Sequence, residues 1–172
     1  LGLSEPTDFM GDADYVRTRW RANPGAAFAA LVDGEFGGSN FATRWGSVGF
    51  FGPLTIRPDL WDRGLSKRLM APVMACFEQW DTKHAGLFTF SHSVKHIALY
   101  QSFGFWPRFL TAIMSKPLGA VELDRSWTIF SAMPTVERED MLAACSALTD
   151  AVYEGLDVSS EIRAVAAQNL GD

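Results

Sequence analysis

The sequence predicts an α/β domain with a mixed sheet (α+β in its strand mixture), and three observations carry that expectation. The Asp33-Gly34 pair lies between two apolar runs, the signal for a two-residue hairpin turn. Past residue 57 the apolar pattern alternates between helix-like and strand-like segments, as in an α/β chain. At 172 residues and 48% hydrophobic, with thirteen Phe and six Trp, the chain can bury one sizeable core.

Residues 12–22 suit a short helix that the breaker cluster Asn23-Pro24-Gly25 ends. Residues 26–33 read as a strand, and residues 36–43 as its return across the hairpin, with Gly37-Gly38 weakening the start. A turn near Trp45-Gly46 leads into a long strand over Ser47–Arg57. Gly52-Pro53 interrupts it and predicts a bulge or splay, because proline donates nothing to the ladder. Pro58 to Arg63 is loop. Gly64 to Trp80 then places Leu65, Leu69, Val73, Cys76, Phe77 and Trp80 on one helical stripe, with Pro72 expected to kink it. Gly86–Ser91 is a compact strand, Ser93 caps the next helix, and Gly104 closes that helix as a left-handed stop. Phe109–Lys116 is a further strand, and Trp127–Met133 another. Thr135 caps a helix running towards Gly155, and Ser159 or Ser160 caps a last short one. There is no internal repeat.

Charge excludes some classes of function. Residues 119–172 hold ten acidic and three basic side chains, which leaves +2 of the net −5 for residues 1–118. No basic block supports nucleic-acid binding, and no apolar run approaches the roughly 18 residues of a membrane span. With nothing like a signal peptide, the expected location is cytoplasmic; Leu1 in place of Met suggests a fragment or a trimmed chain. Cys76 and Cys145 lie in helical patterns, and the three His are scattered, so no disulfide framework and no metal site are expected.

The stretch from Leu54 to Met70 carries the chemistry. A strand enters a short loop, and Gly64 opens an apolar helix whose first N–H groups and dipole make an anion site. Gly64 permits close approach to the backbone, Ser66 is small, and Arg63, Lys67 and Arg68 add positive charge. By itself this is also what an ordinary strand-to-helix junction with a solvated basic face looks like.

The same stretch resembles the acyl-CoA loop of the GNAT superfamily of N-acetyltransferases, Gln/Arg-x-x-Gly-x-Gly/Ala, on Trp61-x-x-Gly64-x-Ser66. Trp61 stands where the pattern has a polar residue, Ser66 where it ends on Gly or Ala, and Asp62 sets a carboxylate beside the anion site. Downstream, Leu99-Tyr100 and Gly104-Phe105 match the family's Asn-x-x-Ala-x-x-Leu-Tyr and Gly-Phe, with Ser93 for Asn and His96 for Ala. Together the motifs span roughly residues 26–118.

The resemblance implies a GNAT-like fold with a splayed central sheet, a short N-terminus and a helical C-terminal extension. Residues 1–118 would form the acetyltransferase domain and residues 119–172 the acidic extension, which would cover the sheet, join a homodimer or begin a second domain. It implies acetyl-CoA as cofactor, set in a V between the end of Ser47–Arg57 and Gly86–Ser91. Backbone groups at Thr55 and Ile56 would pair with its pantetheine, and Trp61, Asp62, Arg63, Gly64, Leu65, Ser66 and Lys67 would hold its diphosphate. Ser93 would contact the cofactor or only cap its helix.

The implied reaction moves an acetyl group to a primary amine, on a small molecule or a peptide, by direct attack. A main-chain N–H would stabilise the oxyanion. Tyr100 is the candidate general acid, since a phenol is protonated at pH 7; a helix-face tyrosine is otherwise a core residue. His92 is the candidate base, with Glu35 and His96 behind it, because Ser47–Arg57 holds no carboxylate. The first 25 residues are shorter than the strand and two helices that precede the hairpin in the family. A non-catalytic acyl-CoA-binding or regulatory module is the alternative, and a partner-binding domain without a CoA site a third.

Overall fold

The computed structural model describes residues 15–111 and 128–171. Helix α1 (Tyr15–Ala22) stops at Asn23, and Pro24–Ala26 form one 3-10 turn before strand β1 (Ala27–Val32). Asp33 (φ 53°) and Gly34 (φ 85°) are both left-handed, as a two-residue hairpin turn requires, and Val32 pairs with Glu35 across it. Strand β2 (Glu35–Trp45) is the spine of the sheet.

One edge of β2 holds β1. The other holds strand β3 (Val48–Phe51) and, further along, strand β4 (Thr55–Ile56), both antiparallel to it. Ala42 pairs with Phe51 and Ser39 with Thr55, so two residues of β2 face the three residues Gly52, Pro53 and Leu54. That extra residue is the interruption expected at Gly52-Pro53, and the Gly52-Pro53 peptide is cis. Gly37-Gly38 turns out to be a close approach rather than a weak start. A Cβ on Gly38 would lie 2.3 Å from the Thr55 carbonyl oxygen, and one on Gly37 2.9 Å from Leu60 Cδ1.

Helix α2 (Leu65–Gln79) buries Leu65, Leu69, Val73 and Phe77 of the expected stripe together with Met70, while Cys76 and Trp80 are half-buried. It covers the sheet face that carries Asn40, Ala42 and Phe51. Pro72 has no N–H for the Arg68 carbonyl and disturbs that turn. Fully buried Asn40 supports the adjacent turn, its Nδ2 donating to the Leu69 carbonyl at 3.3 Å. Strand β5 (His84–Gly86) then pairs parallel with β3, Phe50 opposite Gly86. Helix α3 (Val94–Gln101) closes the core with Tyr100, and Gly104 (φ 87°) ends the turn after it as expected.

Helix α4 (Thr135–Val152) and helix α5 (Ser159–Ala167) follow. Trp45, three residues beyond Ala42, points to the opposite sheet face from α2, and its Nε1 donates to Glu161 of α5. Arg19 Nη1 of α1 donates to both Glu161 carboxylate oxygens, at 2.8 and 2.9 Å. The link between α4 and α5 also seats on the β2–β3 turn. Ser47 N–H donates to the Gly155 carbonyl (2.7 Å), and a Cβ on Gly46 would meet that same oxygen at 2.0 Å.

Several local expectations are corrected. The parallel strand is His84–Gly86, so it ends where Gly86–Ser91 was expected to begin; residues 87–90 are apolar but leave the sheet. Residues 109–111 carry no strand pairing, and the rest of Phe109–Lys116 lies outside the described residues. In Trp127–Met133, Trp127 lies outside them and Phe130–Ala132 form a 3-10 turn. Thr135 is the first residue of α4 rather than its cap, because Pro134 holds that position. Ser159 likewise starts α5, with its N–H accepted by Asp157 Oδ1, while Ser160 Oγ donates to the Arg44 carbonyl.

Candidate active site

The site grows out of the bulge. β3 and β5 stay paired as far as Phe50 and Gly86; beyond them β4 follows β2, while residues 87–90 pair with no strand. The sheet therefore opens between β4 and the segment leading to α3. Arg57 N–H donates to the Gly37 carbonyl (2.9 Å). By antiparallel alternation, Ile56 turns its N–H and C=O away from β2, towards that opening. Thr55 is held by β2, its Oγ1 2.9 Å from Ser39 Oγ.

Pro58–Leu60 form a 3-10 turn that buries Leu60 and anchors the loop that follows. Asp62 (φ 61°) and Gly64 (φ 76°) are both left-handed and reverse the chain into α2. A Cβ on Gly64 would meet nothing within 4 Å, so the cradle is open in front of it. The first α2 amide with an acceptor outside the helix is that of Arg68, on the Gly64 carbonyl (3.3 Å). Among the described residues, no carbonyl accepts from Leu65, Ser66 or Lys67, three of the four donors a helix N-terminus leaves over. Leu65 is buried and fixes the helix start, whereas Arg63, Lys67 and Arg68 are exposed.

Trp61 turns its indole to β4. Its Nε1 donates to the Ile56 carbonyl (3.0 Å), which ties the indole to β4 and leaves it 59% exposed. The Asp62 carboxylate is partnered as well: Lys95 Nζ of α3 lies 2.5 Å from its Oδ1 and 5.9 Å from the Trp61 ring centroid. Lys95 is the residue that the motif reading passed over. Its only signal was a place in the first turn of the helix that begins after Ser93.

On α3, Tyr100 is buried against Phe51, edge to face at 5.5 Å between centroids. Its hydroxyl has no hydrogen-bond partner among the described residues. It is not sealed either, since the one enclosed side-chain polar atom without a partner there is Thr82 Oγ1. Desolvation raises the Tyr100 pKa above the ordinary 10, so the phenol stays protonated. His96 stacks on Tyr100 (6.3 Å, 14° between planes), and its Nδ1 lies 2.7 Å from Ser93 Oγ. Ser93 holds the cap position but makes no side-chain capping bond.

The other base candidates stand apart. His92 is in an exposed turn with its ring 5.7 Å from that of Phe90, and Glu35 starts β2 at the hairpin. No hydrogen bond or ion pair joins either to Tyr100. Burial raises the Cys76 thiol pKa, which makes it a poor nucleophile. No three His, Cys, Asp or Glu gather as metal ligands among the described residues, and no helix there is long and apolar enough to cross a membrane.

A model of the acetyltransferase (GNAT) family matches residues 3–105, more than half of the chain. The chain belongs to the GNAT acetyltransferase family. A candidate acetyltransferase from Agrobacterium tumefaciens, 16% identical, superposes with a TM-score of 0.52 over 65% of this GNAT chain and 85% of its own. Aminoglycoside N-acetyltransferase AAC(6')-Iy, in complex with the bisubstrate analog CoA-S-monomethyl-acetylneamine, is 20% identical over 54% of this chain and 69% of its own (TM-score 0.47). An acetyltransferase from Trypanosoma brucei is 18% identical over 58% and 74% (TM-score 0.47). No curated protein matches the chain.

Proposed function

We propose that this GNAT chain transfers an acetyl group from acetyl-CoA to a primary amine by direct attack, with Tyr100 as general acid. The observation that carries the reading is the helix start at Gly64, where three amides have no carbonyl acceptor among the described residues and a Cβ on the glycine would meet nothing within 4 Å. The residues fit the cofactor. A left-handed glycine with nothing in front of it admits a diphosphate, and the amides of Leu65, Ser66 and Lys67 with the Arg63 and Lys67 side chains would bind it.

Acetyl-CoA supplies the thioester. Ile56 offers its N–H to the opening as a strand edge offers hydrogen bonds to an extended ligand, while its carbonyl already holds the Trp61 indole. Tyr100 donates its proton to the departing thiolate, and burial keeps that proton in place. His92 is proposed as the base that takes the amine proton, with Ser93 at the cofactor's side of α3. A cytoplasmic location, an acceptor on a small molecule or peptide, and a homodimer belong to the same reading.

The test is thiol release from acetyl-CoA across a panel of amines and peptides, beside a CoA thermal-shift titration with Gly64→Glu as control. Turnover with at least one amine is expected. The shift should reach about 2.7 kcal/mol of stabilisation at 100 times the dissociation constant. An unshifted wild-type melting curve, or one that Gly64→Glu leaves equally shifted, would overturn the assignment.

A further inference from the structure

We propose that Lys95 is a ligand for the cofactor's diphosphate, held in place for it by Asp62 in the free protein. The inference rests on the cofactor reading above. Two walls border the opening, the loop that enters α2 and the first turn of α3, and one ion pair joins them: Lys95 Nζ to Asp62 Oδ1 at 2.5 Å. Asp62 lies two residues before Gly64, so the lysine is already delivered to the edge of the cradle. Arg63, Lys67 and Arg68, all exposed, belong to the loop and first turn of α2.

The Asp62 carboxylate would otherwise repel an anion bound at the Leu65, Ser66 and Lys67 amides. Lys95 removes that repulsion, and it does so with a flexible four-carbon stem that can move a few ångströms without moving α3. Both partners are largely exposed, at 64% and 74% of their side chains, so water screens the pair and it breaks easily. A diphosphate carries more charge than one carboxylate and should take the ammonium from it. Trp61 limits the swing. With its indole tied to Ile56 and its ring 5.9 Å from Lys95 Nζ, it offers the ammonium an aromatic neighbour throughout. In this mechanism the loop and α3 are clamped by Asp62 before the cofactor binds and by the diphosphate afterwards.

Calorimetric titration with CoA and with dephospho-CoA tests this on wild type, Lys95→Met, Asp62→Asn and the double variant. Asparagine suits the left-handed backbone at position 62 as well as aspartate does, so the fold is retained. Lys95→Met should weaken CoA about tenfold, the loss of one charge-assisted contact, and weaken dephospho-CoA equally. Asp62→Asn should bind about three- to tenfold more tightly, because Lys95 is released. The double variant should bind about tenfold more weakly than Asp62→Asn. Equal affinity in those two variants would overturn the proposal, showing that Lys95 only screens Asp62. A loss confined to CoA and absent with dephospho-CoA would overturn the diphosphate assignment. Wild type that binds neither compound would sink the cofactor reading itself, an outcome distinct from both.

Discussion

Of the two roles that the sequence left as alternatives for Tyr100, the core role is observed, and the proposed catalytic one rests on the hydroxyl. Its ring belongs to the core beside Phe51, and its hydroxyl has no protein partner among the described residues. Tyr100→Phe therefore removes an oxygen without orphaning a donor or acceptor, and stability should change by less than about 0.5 kcal/mol. As a general acid its loss should lower kcat about 100-fold with little change in CoA affinity. Equal kcat in the two proteins would remove Tyr100 from the chemistry. The raised pKa makes a second test. Above pH 10 the unfolded tyrosine ionises while the folded one resists, so the unfolded state binds fewer protons and stability falls with rising pH. Wild type should thus lose melting temperature relative to Tyr100→Phe only at alkaline pH above about 10, and match it in slope below.

At the scale of elements, the bulge opposite Asn40 and Phe41 positions the site, because it lets β4 continue along β2 while β5 parts from it. Gly38 makes this pairing possible. Gly38→Ala would drive a Cβ against the Thr55 backbone carbonyl at 2.3 Å, and should cost about 1–3 kcal/mol. Because the displaced strand carries Ile56, CoA binding should weaken as well, read by chemical denaturation and by titration on the same sample. Unchanged affinity would show that β4 does not contribute to the site. Much of this layer was legible. Asp33-Gly34 announced the hairpin, Gly52-Pro53 the bulge, and the 3.6-residue stripe announced α2 despite Pro72, because each is a local backbone or periodicity signal. The parallel strand was misplaced by a few residues, because His84-Ala85-Gly86 is a poor strand sequence that pairing with β3 selects. Phe88 and Phe90 looked more strand-like, yet they leave the sheet and stay exposed.

Across the whole molecule, Glu161 ties the two ends of the described chain to the sheet, accepting from Arg19 of α1 and Trp45 of β2. Arg19 keeps only 14% of its side chain in contact with solvent, so the pair is far less screened than Asp62–Lys95. Glu161→Ala should destabilise by about 2 kcal/mol and speed amide hydrogen exchange in α1 and α5 together. CoA affinity should not change, since Gly46 and Ser47, where the 153–157 link docks, lie at the far end of β3 from the bulge. Exchange that rises in α5 alone would show that the two helices are held independently.

From the sequence by itself came the mixed α/β class, the GNAT resemblance, and Gly64 and Tyr100 as candidates, all of which depend on residues close in the chain. Only the tertiary structure decided that Lys95 reaches Asp62, that Trp61 turns to Ile56, and that Glu161 gathers α1, β2 and α5. The physical reason is range. Backbone conformation and amphipathic period are written within a dozen residues, whereas a charge finds its partner only after packing has chosen which surfaces meet.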